Sequence, residues 1–259
     1  MAVIGKGGVG KSVIAATMAR LLARRGTRVL ALDADPLPGL SLSLGSGPDP
    51  VPPPLAEAVA RDEEGRWGWR PGIDAAIAAE RFSTAAPDGV RLLQRGKTGR
   101  TRTTPVVAAG KAFWEVAQGL VSAPEFGDWA LIGDMPGGLR ETAEDWAPYA
   151  DTYLVVVLPT AQSAMTARRV ARLARARSPR DILFVANRVE SAGDVRHVER
   201  LLGEPVFASV PADDAVASAE RAGVATLDHA PGSATVAAID RLTTKLAAPG
   251  GGAGRRSAG

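Results

Sequence analysis

The chain has 259 residues, 46% of them hydrophobic and 23% charged, the balance of a globular protein long enough for one α/β domain. It has no cysteine and only two histidines, His197 and His229, which excludes disulfides, thiolate metal centres, iron–sulfur clusters held by this chain and cysteine nucleophiles. The formal net charge of +3 is the balance of 31 basic residues, only five of them lysine, and 28 acidic ones, spread along the chain; composition alone does not make this a nucleic-acid binder.

In chain order, Met1 to Ile4 is a short apolar strand and Gly5 to Gly10 a loop. Ser12 to Arg25 is a helix apolar on nearly every side, as if packed on a sheet, and Gly26 stops it. No leader-like segment precedes the loop at Gly5, so a cytoplasmic location is expected. Thr27 to Asp33 completes a strand–helix–strand unit, which implies a parallel sheet. Residues 45–72 are rich in proline and glycine and are expected as an irregular insertion with a short helix over Leu55 to Arg61. Val90 to Leu93 is a strand, Gly96 to Pro105 a polar loop, and Lys111 to Val121 a helix with Phe113, Trp114, Val116, Ala117 and Leu120 at helical spacing.

Alternation then resumes. Trp129 to Asp134 and the wholly apolar Tyr153 to Leu158 are strands, the latter central and far shorter than the roughly 20 residues a membrane span needs. Ser163 to Arg177 is a helix, Asp181 to Ala186 a strand, Val195 to Leu202 a helix and Pro205 to Val210 a strand. Asp214 to Ala222 and Ser233 to Ala247 are helices. The expected architecture is a single doubly wound α/β domain over 1–247, mostly parallel with helices on both faces, followed by a disordered tail at 248–259.

Residues 5–12 read Gly-Lys-Gly-Gly-Val-Gly-Lys-Ser, which satisfies G-x-x-x-x-G-K-[ST] between a strand and a helix, the context a phosphate-binding loop requires. Gly5, Lys6, Gly7, Gly8, Val9 and Gly10 would wrap backbone N–H groups around phosphates, with Val13 following at the helix start. Lys11 would reach the β and γ phosphates, and the Ser12 hydroxyl would ligate Mg²⁺. The strand ending at Asp134 is followed by Met135-Pro136-Gly137. Asp134 would hold Mg²⁺ through water, and the Gly137 N–H would sense the γ phosphate.

The second lysine, Lys6, makes the loop resemble the deviant Walker A motif of the ParA, MinD and nitrogenase-iron-protein superfamily. That resemblance implies an ATP-sandwich homodimer in which Lys6 acts on the partner's nucleotide. Asp33-Ala34-Asp35-Pro36 is similar to the superfamily's first switch, which implies Asp35 as the group orienting the attacking water and Asp33 as an outer Mg²⁺ group. Asn187-Arg188 and Val210-Pro211 match the positions that face the adenine. No aspartate follows Asn187 at the guanine-selective spacing, so ATP is favoured over GTP.

Within the superfamily, residues 87–97, the Asp33–Pro36 segment and the stretch from Leu154 to Ala174 resemble the CooC-like nickel-insertion ATPases. The family's Cys-x-Cys is absent; Thr98 to Pro105 stands at that place. The resemblance therefore implies an ATPase switch acting on a protein client without a soft-metal site. The rival reading is a positioning ATPase on DNA or membrane. Arg168, Arg172 and Arg175 share one helix face, read here as a solvated face, and nothing basic and amphipathic follows the last helix.

Overall fold

The computed structural model describes residues 1–36, 39–96, 104–138, 145–177 and 181–248. Its elements run β1 (Ala2–Ile4), α1 (Lys11–Arg24), β2 (Val29–Asp33), α2 (Leu40–Leu44), β3 (Val59–Arg61), β4 (Trp67–Trp69), α3 (Ala75–Arg81), β5 (Thr84–Ala85), β6 (Arg91–Gln94) and α4 (Thr104–Gly119). They continue with β7 (Ala130–Asp134), β8 (Thr152–Val157), α5 (Ala161–Arg177), β9 (Asp181–Val189), α6 (Ala192–Leu202), β10 (Ala208–Pro211), α7 (Asp214–Ala222), α8 (Thr226–His229) and α9 (Ala234–Ala247).

Eight strands form one sheet in the order β10-β9-β8-β1-β7-β2-β6-β5, parallel except for the edge strand β5. The chain winds outward from β1 through β2 and β6, returns to place β7 between β1 and β2, and then crosses to β8, β9 and β10. The carboxyl ends of β1, β7 and β2 meet where the winding reverses, the place where open α/β sheets bind ligands. Successive residues of each strand serve opposite faces. Leu30, Leu32, Tyr153 and Val155 pack with Phe113 and Val116 of α4 and Val170 of α5. Val29, Ala31, Leu154 and Val156 pack with Ile14 and Met18 of α1 and Ile239 and Leu242 of α9. This is the expected doubly wound P-loop fold.

The insertion departs from expectation. The helix anticipated over Leu55 to Arg61 is a 3₁₀ turn at Pro54–Ala58 that runs straight into β3, which pairs antiparallel with β4. The turn at Asp62–Arg66 decides this. Gly65 adopts φ 79°, its N–H donates to the Asp62 carbonyl at 3.0 Å, and Asp62 Oδ1 accepts from Arg66 N at 2.7 Å. Leu55, Ala58 and Val59 bury themselves against α4, and Gln94 Nε2 at the end of β6 donates to Asp49, so the insertion is fastened over the β6 end.

α4 starts at Thr104, seven residues before the expected Lys111, because Pro105 in its first turn needs no N–H partner. The loop expected over 96–105 otherwise lies outside the described residues from 97 to 103, as does the tail from 249. β9 runs to Val189 rather than Ala186. Three short helices stand outside the expected elements: α3, capped by Asp74 accepting from Ile77 N, and α2 and α8. Among the described residues no helix is long and apolar enough to cross a membrane.

Candidate functional site

β1 delivers the chain into the glycine loop through Gly5, at φ 148°. A Cβ there would come 2.6 Å from the Val156 carbonyl oxygen of β8, so only glycine can pass. Gly8 and Gly10 adopt the left-handed φ values 77° and 93°. Around Gly7 and Gly8 a Cβ would meet no atom within 4 Å, so this side of the loop is open. Val9 is buried in the core beneath it, and Val13 is half-buried.

α1 begins with Gly10 as its N-cap, without a side-chain cap and with no acidic residue in the first turn. Its first N–H groups and the positive end of its dipole are thus left for an anion. Lys11 is only 6% exposed, and its Nζ donates to the Lys6 carbonyl at 3.4 Å, which holds the ammonium inside the loop.

The carboxylates crest the sheet beside it. Asp33 and Asp134 are register partners on β2 and β7, both buried. The Ser12 hydroxyl donates to Asp134 Oδ2 at 2.6 Å. Asp33 Oδ1 accepts from the Asp35 N–H at 3.2 Å, curling the chain after β2 and leaving Asp35 half-buried above the crest. Gly39, which starts α2, backs onto Ser12; a Cβ there would lie 2.8 Å from Oγ. Gly137 presses on the loop itself, since its Cβ would fall 2.5 Å from Gly7 N. Residues of both segments expected to act as switches therefore converge on the glycine loop and on Ser12.

The Ser12 and aspartate oxygens are hard donors, which suits Mg²⁺ and not a soft ion. Among the described residues no group of three or more His, Cys, Asp or Glu is placed to hold a metal, so a cation here would draw its remaining ligands from a nucleotide and water.

Asn187 sits within β9 and is 7% exposed. Its Nδ2 donates to the Val9 carbonyl at 2.7 Å, and a Cβ on Gly10 would fall 2.4 Å from that nitrogen. The side chain expected to face a base thus also braces the loop. Arg188, exposed at φ 55°, is the extra residue of a bulge, because β10 pairs Val210 with Asn187 and Pro211 with Val189. The Val210 side chain is buried in the core, so only its backbone is available to line a ligand.

Lys6 stands apart from the expectation of a group reaching across a dimer. In the single chain its Nζ donates to Gln162 Oε1 of α5 at 2.7 Å. Gln162 was not legible as a site residue, since one polar residue at a helix start carries no pattern. Arg20 was likewise missed. It is 3% exposed in the middle of α1, donates Nε to Asp88 at 2.6 Å, and grips Asp228 of α8 with both Nη atoms at 2.6 and 2.7 Å. Its signal was an arginine inside an otherwise apolar helix.

A family model described as the CobQ/CobB/MinD/ParA nucleotide binding domain matches residues 1–227. Among curated proteins, the carbon monoxide dehydrogenase accessory protein CooC of Rhodospirillum rubrum is 28% identical over 243 residues, covering 89% of this chain and 90% of that protein. Among solved structures, a ParA family ATPase from Chlorobium tepidum superposes with TM-score 0.71 at 21% identity, covering 95% of this chain and 98% of the other. The septum site-determining protein MinD of Pyrococcus horikoshii, complexed with Mg-ADP, gives 0.68 at 19% identity with 98% of both chains covered. The chain belongs to the CobQ/CobB/MinD/ParA family of nucleotide-binding domains.

Proposed function

We propose that this chain binds and hydrolyses ATP with Mg²⁺ and works as a dimeric switch on a protein client, in a maturation or assembly role without a soft-metal site of its own. The observation that carries the reading is the uncapped start of α1 at Gly10, beside Ser12 and Asp134 held 2.6 Å apart. Phosphate oxygens complete the unspent N–H groups, and Lys11 supplies the countercharge. Mg²⁺ bound through Ser12, with Asp134 and Asp33 behind it, neutralises developing phosphate charge. Asp35 orients the attacking water. Asn187 Oδ1, which has no partner among the described residues, is an acceptor suited to the adenine amino group, with Arg188 and the Val210–Pro211 backbone alongside. The relatives CooC and MinD support this class of activity, and the MinD complex with Mg-ADP supports the cofactor pair.

Phosphate release with Mg-ATP tests the reading. Turnover by the wild-type chain that is lost in Lys11→Ala supports it, and a wild-type chain with no turnover, alone or with candidate clients, contradicts it.

The second reading, a positioning ATPase on nucleic acid, draws on Arg168 and Arg172. They face a groove of about 460 Å³ against the α6 end and carry no ion pair among the described residues. Arg175, the third member of that face, is held by Glu204 through two hydrogen bonds at 2.8 and 2.6 Å, which reduces the stripe. Mobility-shift titration with ATP at about 150 mM salt, where phosphate contacts are strongly weakened, should show no tight complex. Tight binding abolished by alanine at all three positions would favour this second reading.

A further inference from the structure

Arg95 lies in the 87–97 stretch but was given no role in the phosphate, switch or base positions, yet it touches the first switch and the segment beyond the second. It follows β6, and its N–H donates to the Asp33 carbonyl at 3.0 Å. Its Nη1 donates to the Ala34 carbonyl, between the two switch aspartates, at 3.4 Å. The same guanidinium lies over the ring of Trp146, 4.6 Å from its centroid. Trp146 in turn meets Trp114 of α4 edge-on, with centroids 5.2 Å apart and planes at 66°. Arg95 Nε lies 3.8 Å from the position of a Cβ on Gly110, so the side chain runs along α4. Both indoles are half-buried, and Trp146 packs against the core that holds Phe113 and Val116.

We propose that Arg95 is a positioning residue that couples the two switches, tying Ala34 of the first to Trp146 beyond the second and passing their relative displacement to Trp114 on α4. The proposal rests on the ATP-switch reading. The guanidinium is a planar, rigid fork, so one side chain serves both contacts only at one separation of Ala34 and Trp146. The hydrogen bond is already near its geometric limit, and a cation–π contact fades beyond about 6 Å. A change of roughly 1–2 Å in the separation of Ala34 and Trp146 therefore breaks one contact and releases the tryptophan pair to a second arrangement.

The test is tryptophan emission of the full chain without nucleotide, with Mg-ADP and with Mg-ATP, beside calorimetric affinities and single-turnover rates. In the wild type, emission should differ between ATP and ADP. Arg95→Met should change the emission even without nucleotide, keep ATP affinity, lose the ATP–ADP difference and slow the chemical step by roughly 2- to 30-fold. Arg95→Lys, which keeps a cation over Trp146, should restore part of the difference. Trp146→Phe should lose the difference at unchanged affinity, and it carries the same decision should Arg95→Met fail to fold. An Arg95→Met or Trp146→Phe chain that retains both the difference and the wild-type rate overturns the coupling alone. A wild-type chain that binds no nucleotide overturns the ATPase reading and the coupling with it.

Discussion

Gly137 and Gly10 show how tightly single residues constrain the site. An added methyl at Gly137 would sit 2.5 Å from the Gly7 nitrogen, so Gly137→Ala must lift the second switch off the loop. Its expected outcome is retained folding by circular dichroism with phosphate release reduced about 10²-fold or more, the scale of losing one transition-state hydrogen bond. Asp35→Ala should bind ATP but turn over about 10²-fold more slowly, as for a lost general base, whereas Asp134→Ala should weaken Mg²⁺-dependent binding. Stopped-flow phosphate detection and calorimetry separate the two effects. The loop, Ser12, Asp33 and Asp134 were legible because each stands at a fixed spacing that the chemistry demands. The brace from Asn187 to Val9 and the contact of Lys6 with Gln162 were not. They join residues more than 150 positions apart through side chains that no local pattern marks.

At the scale of elements, α1 carries the candidate phosphate site at its N-terminus and is anchored at its middle by Arg20. Asp228 is held below the ordinary carboxylate range first by the hydrogen bond from Arg20. Burial alone would raise Asp88, but hydrogen bonds from Arg20 and Arg24 more than offset it and hold it low as well. Carboxylates depressed in the folded state contribute stability above their unfolded pKa, about 4, and lose it as pH falls through the lower folded value. Stability should therefore be maintained down to about pH 4 and fall below it. Asp228 is 40% exposed, so solvent screens part of its share. Arg20→Leu should lower stability by roughly 2–3 kcal/mol at neutral pH, because it leaves two facing carboxylates, and should flatten the acid limb. Urea titrations at several pH values check both.

The parallel strands were readable because buried on both faces they are continuously apolar. The hairpin of β3 and β4 was not. Leu55 to Arg61 has helical composition, and the turn at Asp62–Arg66 overrides it through a single glycine and one carboxylate. Helix α3 hides in an alanine-rich stretch whose only clear mark is the Asp74 cap.

For the molecule as a whole, the position of Lys6 sets the assembly question. It is attached to Gln162 of its own chain, and in the dimer proposed here it would exchange that bond for the partner's nucleotide. Light scattering should show a dimer favoured by ATP. Lys6→Ala should bind ATP and lose the ATP effect on assembly, and normal ATP-dependent assembly in that variant would remove its role. With no cysteine in the chain and hard oxygens at the crest, equilibrium dialysis with elemental analysis should find no Ni²⁺ or Zn²⁺ held at micromolar concentration in the presence of ATP. One tightly held ion per dimer would show instead that the chain carries metal directly.

The expectations for turnover, switching and assembly depend on a nucleotide in the glycine loop, and calorimetric titration of the purified chain with Mg-ATP tests that most directly. One site per chain, abolished in Lys11→Ala while its far-ultraviolet circular dichroism is unchanged, is the result predicted. A folded wild-type chain that shows no saturable binding, or a Lys11→Ala chain that binds as tightly, would contradict it.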